Sequence, residues 1–120
     1  MGIGIDIVDI DKIDRLIEKW GDRFLNRIFT DRELKEWELR GKRVSLLAGK
    51  FATKEAFFKA NNSKEDWRFV SIKWKEIEVL DIPSGAPVIW VKGQKTNTNI
   101  SISHTQQIAI SVVVSECFCT

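Results

Sequence analysis

The chain has 120 residues, 43% of them hydrophobic and 30% charged, the balance of one globular domain spanning residues 1–120 and not of a disordered or collagen-like chain. Nineteen Lys and Arg against 17 Asp and Glu leave a net charge of +2, too little to argue for nucleic-acid binding from bulk charge. With no apolar run of roughly 20 residues, no signal-peptide pattern and only two cysteines, Cys117 and Cys119, the expectation is a cytoplasmic, reduced protein with no membrane partner.

Residues 2–8 alternate as a strand, with Ile3, Ile5 and Ile7 on one face and Gly4, Asp6 and Val8 on the other. Ile13, Leu16, Ile17, Trp20, Phe24 and Ile28 then form the apolar stripe of a helix, with a break expected at Gly21. Thr30 and Glu33 make a capping box, so a second helix is predicted from Thr30 to near Gly41. A third, over about 43–60, carries Val44, Leu47, Ala48, Phe51 and Phe58 on one side. Val70, Ile72 and Trp74 alternate, as do Ile77 and Val79, which predicts one long or bent strand. A turn at residues 83–87 leads into a strand at 88–91. Residues 99–103 alternate and residues 108–114 are nearly all apolar, two strands joined by a hairpin connection at 104–107. Helices early and strands late predict an α+β fold, an N-terminal strand and helices packed on a mainly antiparallel sheet.

Two carboxylates sit where carboxylates are disfavoured. Glu55 falls in the middle of the third helix's apolar stripe, where a charge is costly unless paired, protonated or bound to a metal. Its bland alternative is a rim position salt-bridged to Lys59, one turn on. Asp6 lies between isoleucines in a strand, or else on the solvent face of an edge strand. Two such carboxylates suit a shared hard cation, and with one His in the chain Mg²⁺ with a phosphate-bearing substrate is a better expectation than zinc. Lys50, Lys54 and Lys59 on the same helix, with Lys42 and Arg43 before it, are candidates to receive phosphates, although basic residues on a helix are most often simply solvated. Phe57 falls opposite the stripe, as a large aromatic seeking a partner surface or on a helix covered on both sides. His104 ends a strand, where a lone His is more often structural. Adjacent Ser103 and His104 face opposite sides, which excludes a serine hydrolase pair, and neither Gly2-Ile3-Gly4 nor Gly41-Lys42 completes a phosphate loop. On the first helix Arg15, Lys19, Arg23 and Arg27 form an i, i+4 row with Lys12 near its start, either a solvated face or a ridge for an acidic partner.

Three segments carry a family resemblance: Gly2-Ile3-Gly4-Ile5-Asp6-Ile7, the block from Leu47 to Ala60 that reads LAGKFATKEAFFKA, and Ile100-Ser101-Ile102-Ser103-His104-Thr105. In order and spacing they resemble the holo-[acyl-carrier-protein] synthases, a family of 4'-phosphopantetheinyl transferases. The resemblance implies Mg²⁺-dependent transfer of phosphopantetheine from coenzyme A to a serine of apo acyl carrier protein, in fatty acid biosynthesis, with adenosine 3',5'-bisphosphate released. It implies Asp6 and Glu55 as metal ligands and Lys59 at the coenzyme A phosphates. Lys50, His104 and Lys42 or Arg43 would take the nucleotide end. Lys12, Arg23 and Arg27 would meet the acidic helix of the carrier. The serine's proton would go to Glu55 itself or to a water held by the metal. It also implies a homotrimer with sites at subunit interfaces. The chain departs from the family in Asn61-Asn62-Ser63 where a glycine-rich turn is usual, in Ala86 where Lys is usual, and in Lys50 and Lys12 where Arg is usual. A transferase for a polyketide or peptide-synthesis carrier, and a coenzyme A or carrier-binding module without turnover, are the competing readings.

Overall fold

A computed structural model of the chain describes residues 1–61 and 74–115. Strand β1 (Gly2–Asp9) runs into helix α1 (Ile10–Trp20). Gly21, at φ 54°, turns the chain into α2 (Asp22–Ile28), a conformation glycine adopts without strain, so the expected break falls where it was placed. Helix α3 (Asp31–Leu39) opens on a complete capping box, Thr30 Oγ1 accepting from the Glu33 amide and Glu33 Oε1 from the Thr30 amide. Helix α4 (Val44–Asn61) follows. After one 3₁₀ turn (Trp74–Glu76) come β2 (Ile77–Asp81), β3 (Pro87–Val91), the two-residue β4 (Gln94–Lys95), β5 (Thr98–His104) and β6 (Ile108–Ser115).

The strands form two antiparallel sheets, ordered β1-β6-β5 and β2-β3-β4. This is the α+β class expected, with the sheet divided in two. Trp74 is not the strand residue its alternation predicts. It lies in the 3₁₀ turn, where its ring stacks on Phe51 at 5.1 Å and meets Phe58 edge-on at 5.3 Å. Val70, Ile72 and Asn62 lie outside the described residues.

Helix α4 is the axis of the molecule. Leu47, Ala48, Ala52, Thr53, Ala56 and Phe57 are all buried, so the helix is covered nearly all round and does not show the one-sided stripe expected of it. Phe57, opposite the expected stripe, is 1% exposed and packs with Ile77, Val79, Ile89, Val91 and Val113, so of its two readings the helix covered on both sides is the one the structure shows. The second small sheet supplies that cover. Lys50 and Lys54, expected at the surface, are 3% and 0% exposed because α3 brings acids to them.

The strand β1 lies directly on α4. A Cβ on Gly4 would run into the backbone of Ala56, and one on Gly2 into that of Ala60. Backbone cannot swing aside as a side chain can, so Gly4→Ala is expected to cost at least about 1–3 kcal/mol, the range for overpacking a tight core. Urea unfolding of the variant measures it.

Candidate active site

Close packing of β1 on α4 brings Asp6 and Glu55 together. On β1 Gly4 and the side chains of Asp6 and Val8 face α4, in register with Val113, Ser111 and Ala109 of β6. Asp6 is half-buried, and Lys59, one turn beyond Glu55 on α4, donates from Nζ to Asp6 Oδ1 at 3.1 Å and to the Ile5 carbonyl at 3.0 Å. Glu55 is half-buried and its carboxyl is pushed above the usual 4.5, chiefly by burial and then by the negative charge of Asp6, with Lys59 pulling it back. The pair sits at the rim of the core, not inside it: Glu55 keeps access to solvent. The site is two hard oxygen donors that repel each other, with one cation beside them. Such a pair fits a divalent cation, and two carboxylates are as many as Mg²⁺ commonly takes from a protein. Among the described residues no cluster of three or more His, Cys, Asp or Glu would hold a metal without help from water or substrate.

A second group of expected residues gathers elsewhere. Arg43, Lys50 and His104 line one cleft of about 310 Å³, together with Arg40 and Asp81. Ser45 and Leu46 border it, so the positive end of α4 lies at its edge. Arg43 is exposed; its carbonyl accepts from Trp37 Nε1 at 3.0 Å, which holds the backbone before α4. His104, at the end of β5, has Nδ1 3.2 Å from the Thr105 carbonyl. Lys42 stands apart, over the Trp37 ring at 5.9 Å with φ 56°.

A third group lies on α1 and α2. Arg23 and Arg27 border a shallow apolar groove with Leu16, Trp20 and Phe24, and Lys12 is exposed on the first turns of α1. Lys19 and Arg23 flank the exposed Trp20 ring at 5.2 and 6.0 Å.

Three charged residues near the cleft, Glu36, Arg40 and Asp81, are not singled out by sequence patterning, and Glu33 is singled out only as a helix cap. Glu33 and Glu36, one turn apart on α3, each accept an α4 lysine and a β2 amide: Glu33 takes Lys54 Nζ at 2.7 Å and the Val79 amide at 2.8 Å, Glu36 takes Lys50 Nζ at 2.7 Å and the Asp81 amide at 3.2 Å. Arg40 Nη1 donates to Asp81 Oδ2 at 2.7 Å. The capping box announces Glu33, but its second role arises from chain 46 residues away.

The profile of the ACPS family, described as the 4'-phosphopantetheinyl transferase superfamily, matches residues 2–113. The holo-[acyl-carrier-protein] synthase of Halothermothrix orenii is 37% identical over 124 residues, covering 96% of each chain. The structure is similar to that of the holo-[acyl-carrier-protein] synthase from Neisseria meningitidis, with TM-score 0.80, 31% identity and coverage of 97% of this chain and 98% of that one. It is similar also to the Helicobacter pylori holo-[acyl-carrier-protein] synthase in complex with coenzyme A, with TM-score 0.76, 30% identity and coverage of 95% and 99%. The chain belongs to the 4'-phosphopantetheinyl transferase superfamily and, within it, to the holo-[acyl-carrier-protein] synthase enzymes.

Proposed function

We propose that this chain transfers 4'-phosphopantetheine from coenzyme A to a serine hydroxyl of an apo acyl carrier protein and releases adenosine 3',5'-bisphosphate. The observation that carries the reading is the cluster of Asp6, Glu55 and Lys59 on two elements packed backbone to backbone. Family membership and the coenzyme A complex of the Helicobacter pylori relative support it. Asp6 and Glu55 would hold Mg²⁺. A cation bound there supplies positive charge to the diphosphate oxygens. Lys59 adds a second positive charge where negative charge gathers on the departing phosphate. The serine oxygen attacks the phosphorus that carries pantetheine, and the bond from that phosphorus to the oxygen of adenosine bisphosphate breaks. Glu55 takes the hydroxyl proton at its carboxylate oxygen or through a water it orients. Arg43 and His104 receive the nucleotide end in their cleft. Lys12, Arg23 and Arg27 meet the acidic surface of the carrier.

The reading includes a homotrimer. Ile3, Ile5 and Ile7 of β1 are 69%, 54% and 59% exposed, and the register places Val114, Val112 and Ile110 of β6 beside them on the same outer face. Six β-branched apolar side chains on one sheet face require cover. Ile5→Lys is expected to convert a three-copy species into single chains, read by sedimentation at equal concentration.

Incubation of an apo carrier with coenzyme A, Mg²⁺ and this protein is expected to add the mass of phosphopantetheine to the carrier. Binding of coenzyme A with no added mass on any of several carriers would leave only a binding module.

A further inference from the structure

Lys59 holds two oxygens of β1 at once, Asp6 Oδ1 at 3.1 Å and the Ile5 carbonyl at 3.0 Å. The two partners are unequally fixed. Asp6 stands on a strand paired with β6, opposite Ser111, and its side chain is 16% exposed. The Lys59 side chain is 54% exposed, on a flexible four-carbon stem in the last turn of α4. Glu55 feels the same ammonium, which offsets part of the repulsion between the two carboxylates. The lysine therefore serves this pair of acids as a counter-ion drawn from the chain itself.

A divalent cation on Asp6 meets that ammonium. Mg²⁺ binds carboxylate oxygens at about 2.1 Å, so an oxygen that also kept its bond from Lys59 would bring charges of +2 and +1 within about 5 Å of each other. Repulsion at that range outweighs a hydrogen bond from a half-exposed ammonium. Lys59 is the partner free to yield.

We infer that Lys59 is handed from Asp6 to the donor's phosphate when a divalent cation takes the carboxylates, so that one side chain links cation binding to donor binding. The inference rests on the proposed use of Mg²⁺ and coenzyme A. Each ligand then prepares the site for the other: the cation frees the ammonium, and a phosphate that draws the ammonium away bares Asp6. Linkage is reciprocal, so coenzyme A tightens the cation by the same factor as the cation tightens coenzyme A.

Mn²⁺, another oxygen-preferring divalent cation, is the probe, located in crystals by anomalous scattering and measured by calorimetry. In crystals of the parent protein with Mn²⁺ and no donor, Lys59 Nζ is expected out of hydrogen-bond reach of Asp6. Mn²⁺ on Asp6 with Nζ still bonded to it would overturn the inference. Without donor, Lys59→Met is expected to bind Mn²⁺ about fivefold more tightly than the parent, the upper scale of a partly exposed ion pair. With coenzyme A saturating, the two proteins are expected to agree within about twofold, so the linkage factor falls in the variant. A lysine that merely repelled the cation from a fixed place would weaken it equally with and without donor, and an unchanged linkage factor would overturn the inference. Mn²⁺ binding to neither protein would overturn it together with the metal site. If Mn²⁺ displaces Lys59 but coenzyme A has no affinity, the proposed function and the transfer to phosphate fail, while the counter-ion role stands.

Discussion

Glu55→Gln is expected to lower the rate of phosphopantetheine transfer by about 10²–10⁴, the range associated with losing a positioned acid or base. The amide removes a charge from the pair that would hold the cation and a proton acceptor at the same place. Mass spectrometry of the carrier over time measures the fall, and a fully active variant would remove Glu55 from the chemistry. Stability moves the other way, and its sign follows from the direction of the shift. Burial and Asp6 raise the folded-state pKa of Glu55 above 4.5, so the folded chain holds this proton more tightly than the unfolded chain does. The contribution is fully present below 4.5 and is lost as pH rises through the raised value. Unfolding midpoints in the presence of a chelator are therefore expected to fall over that window in the parent protein and to fall less in Glu55→Gln. Adding Mg²⁺ at neutral pH is expected to recover stability in the parent and not in the variant.

Lys54→Met is expected to destabilise the fold by about 3–5 kcal/mol, the cost of breaking a buried ion pair from one side. Lys54 and Glu33 are both fully buried and 2.7 Å apart. Burial holds the Lys54 ammonium below its usual 10.5, with Glu33 pulling against that shift. Nζ also donates to the carbonyls of Ile28 at 2.8 Å and Trp74 at 3.1 Å, so one side chain ties together the end of α2, the 3₁₀ turn and α3. Met fills the volume but leaves the Glu33 carboxylate buried with only backbone amides to satisfy it. Chemical denaturation compares the single variant with Lys54→Met plus Glu33→Gln, expected to be less destabilised because no net charge is left in the core. A Lys54→Met protein as stable as the parent would show that this pair contributes nothing to the fold.

How far the chain could be read from its residues varied with how local the cause was. Strand β1, the Gly21 break, the Thr30 capping box and the β5–β6 hairpin each follow from neighbours in sequence, and each stands close to where periodicity puts it. The two-residue β4 has too few positions to show a period. Helix α4 defeats the search for a stripe because two sheets and α3 cover it, which no pattern within the helix records. The same cause hid the burial of Lys50 and Lys54, whose partners lie on α3. Asp6 and Glu55 stood out as charges among apolar neighbours, and the structure brings them into mutual electrostatic range. The gathering of Arg43 and His104 into one cleft, by contrast, depends on β5 and the start of α4 meeting from distant parts of the chain.

Strand β2 is one edge of its sheet, and a bare edge strand is a template onto which another chain can add. Here its amides at Val79 and Asp81 are already taken by glutamate side chains, which bond like a neighbouring strand but cannot propagate one. The small sheet is thereby closed to growth on that side, a safeguard against fibril-like stacking. Variants that shorten either glutamate would turn this border into a seed for misassembly, apart from any effect on turnover.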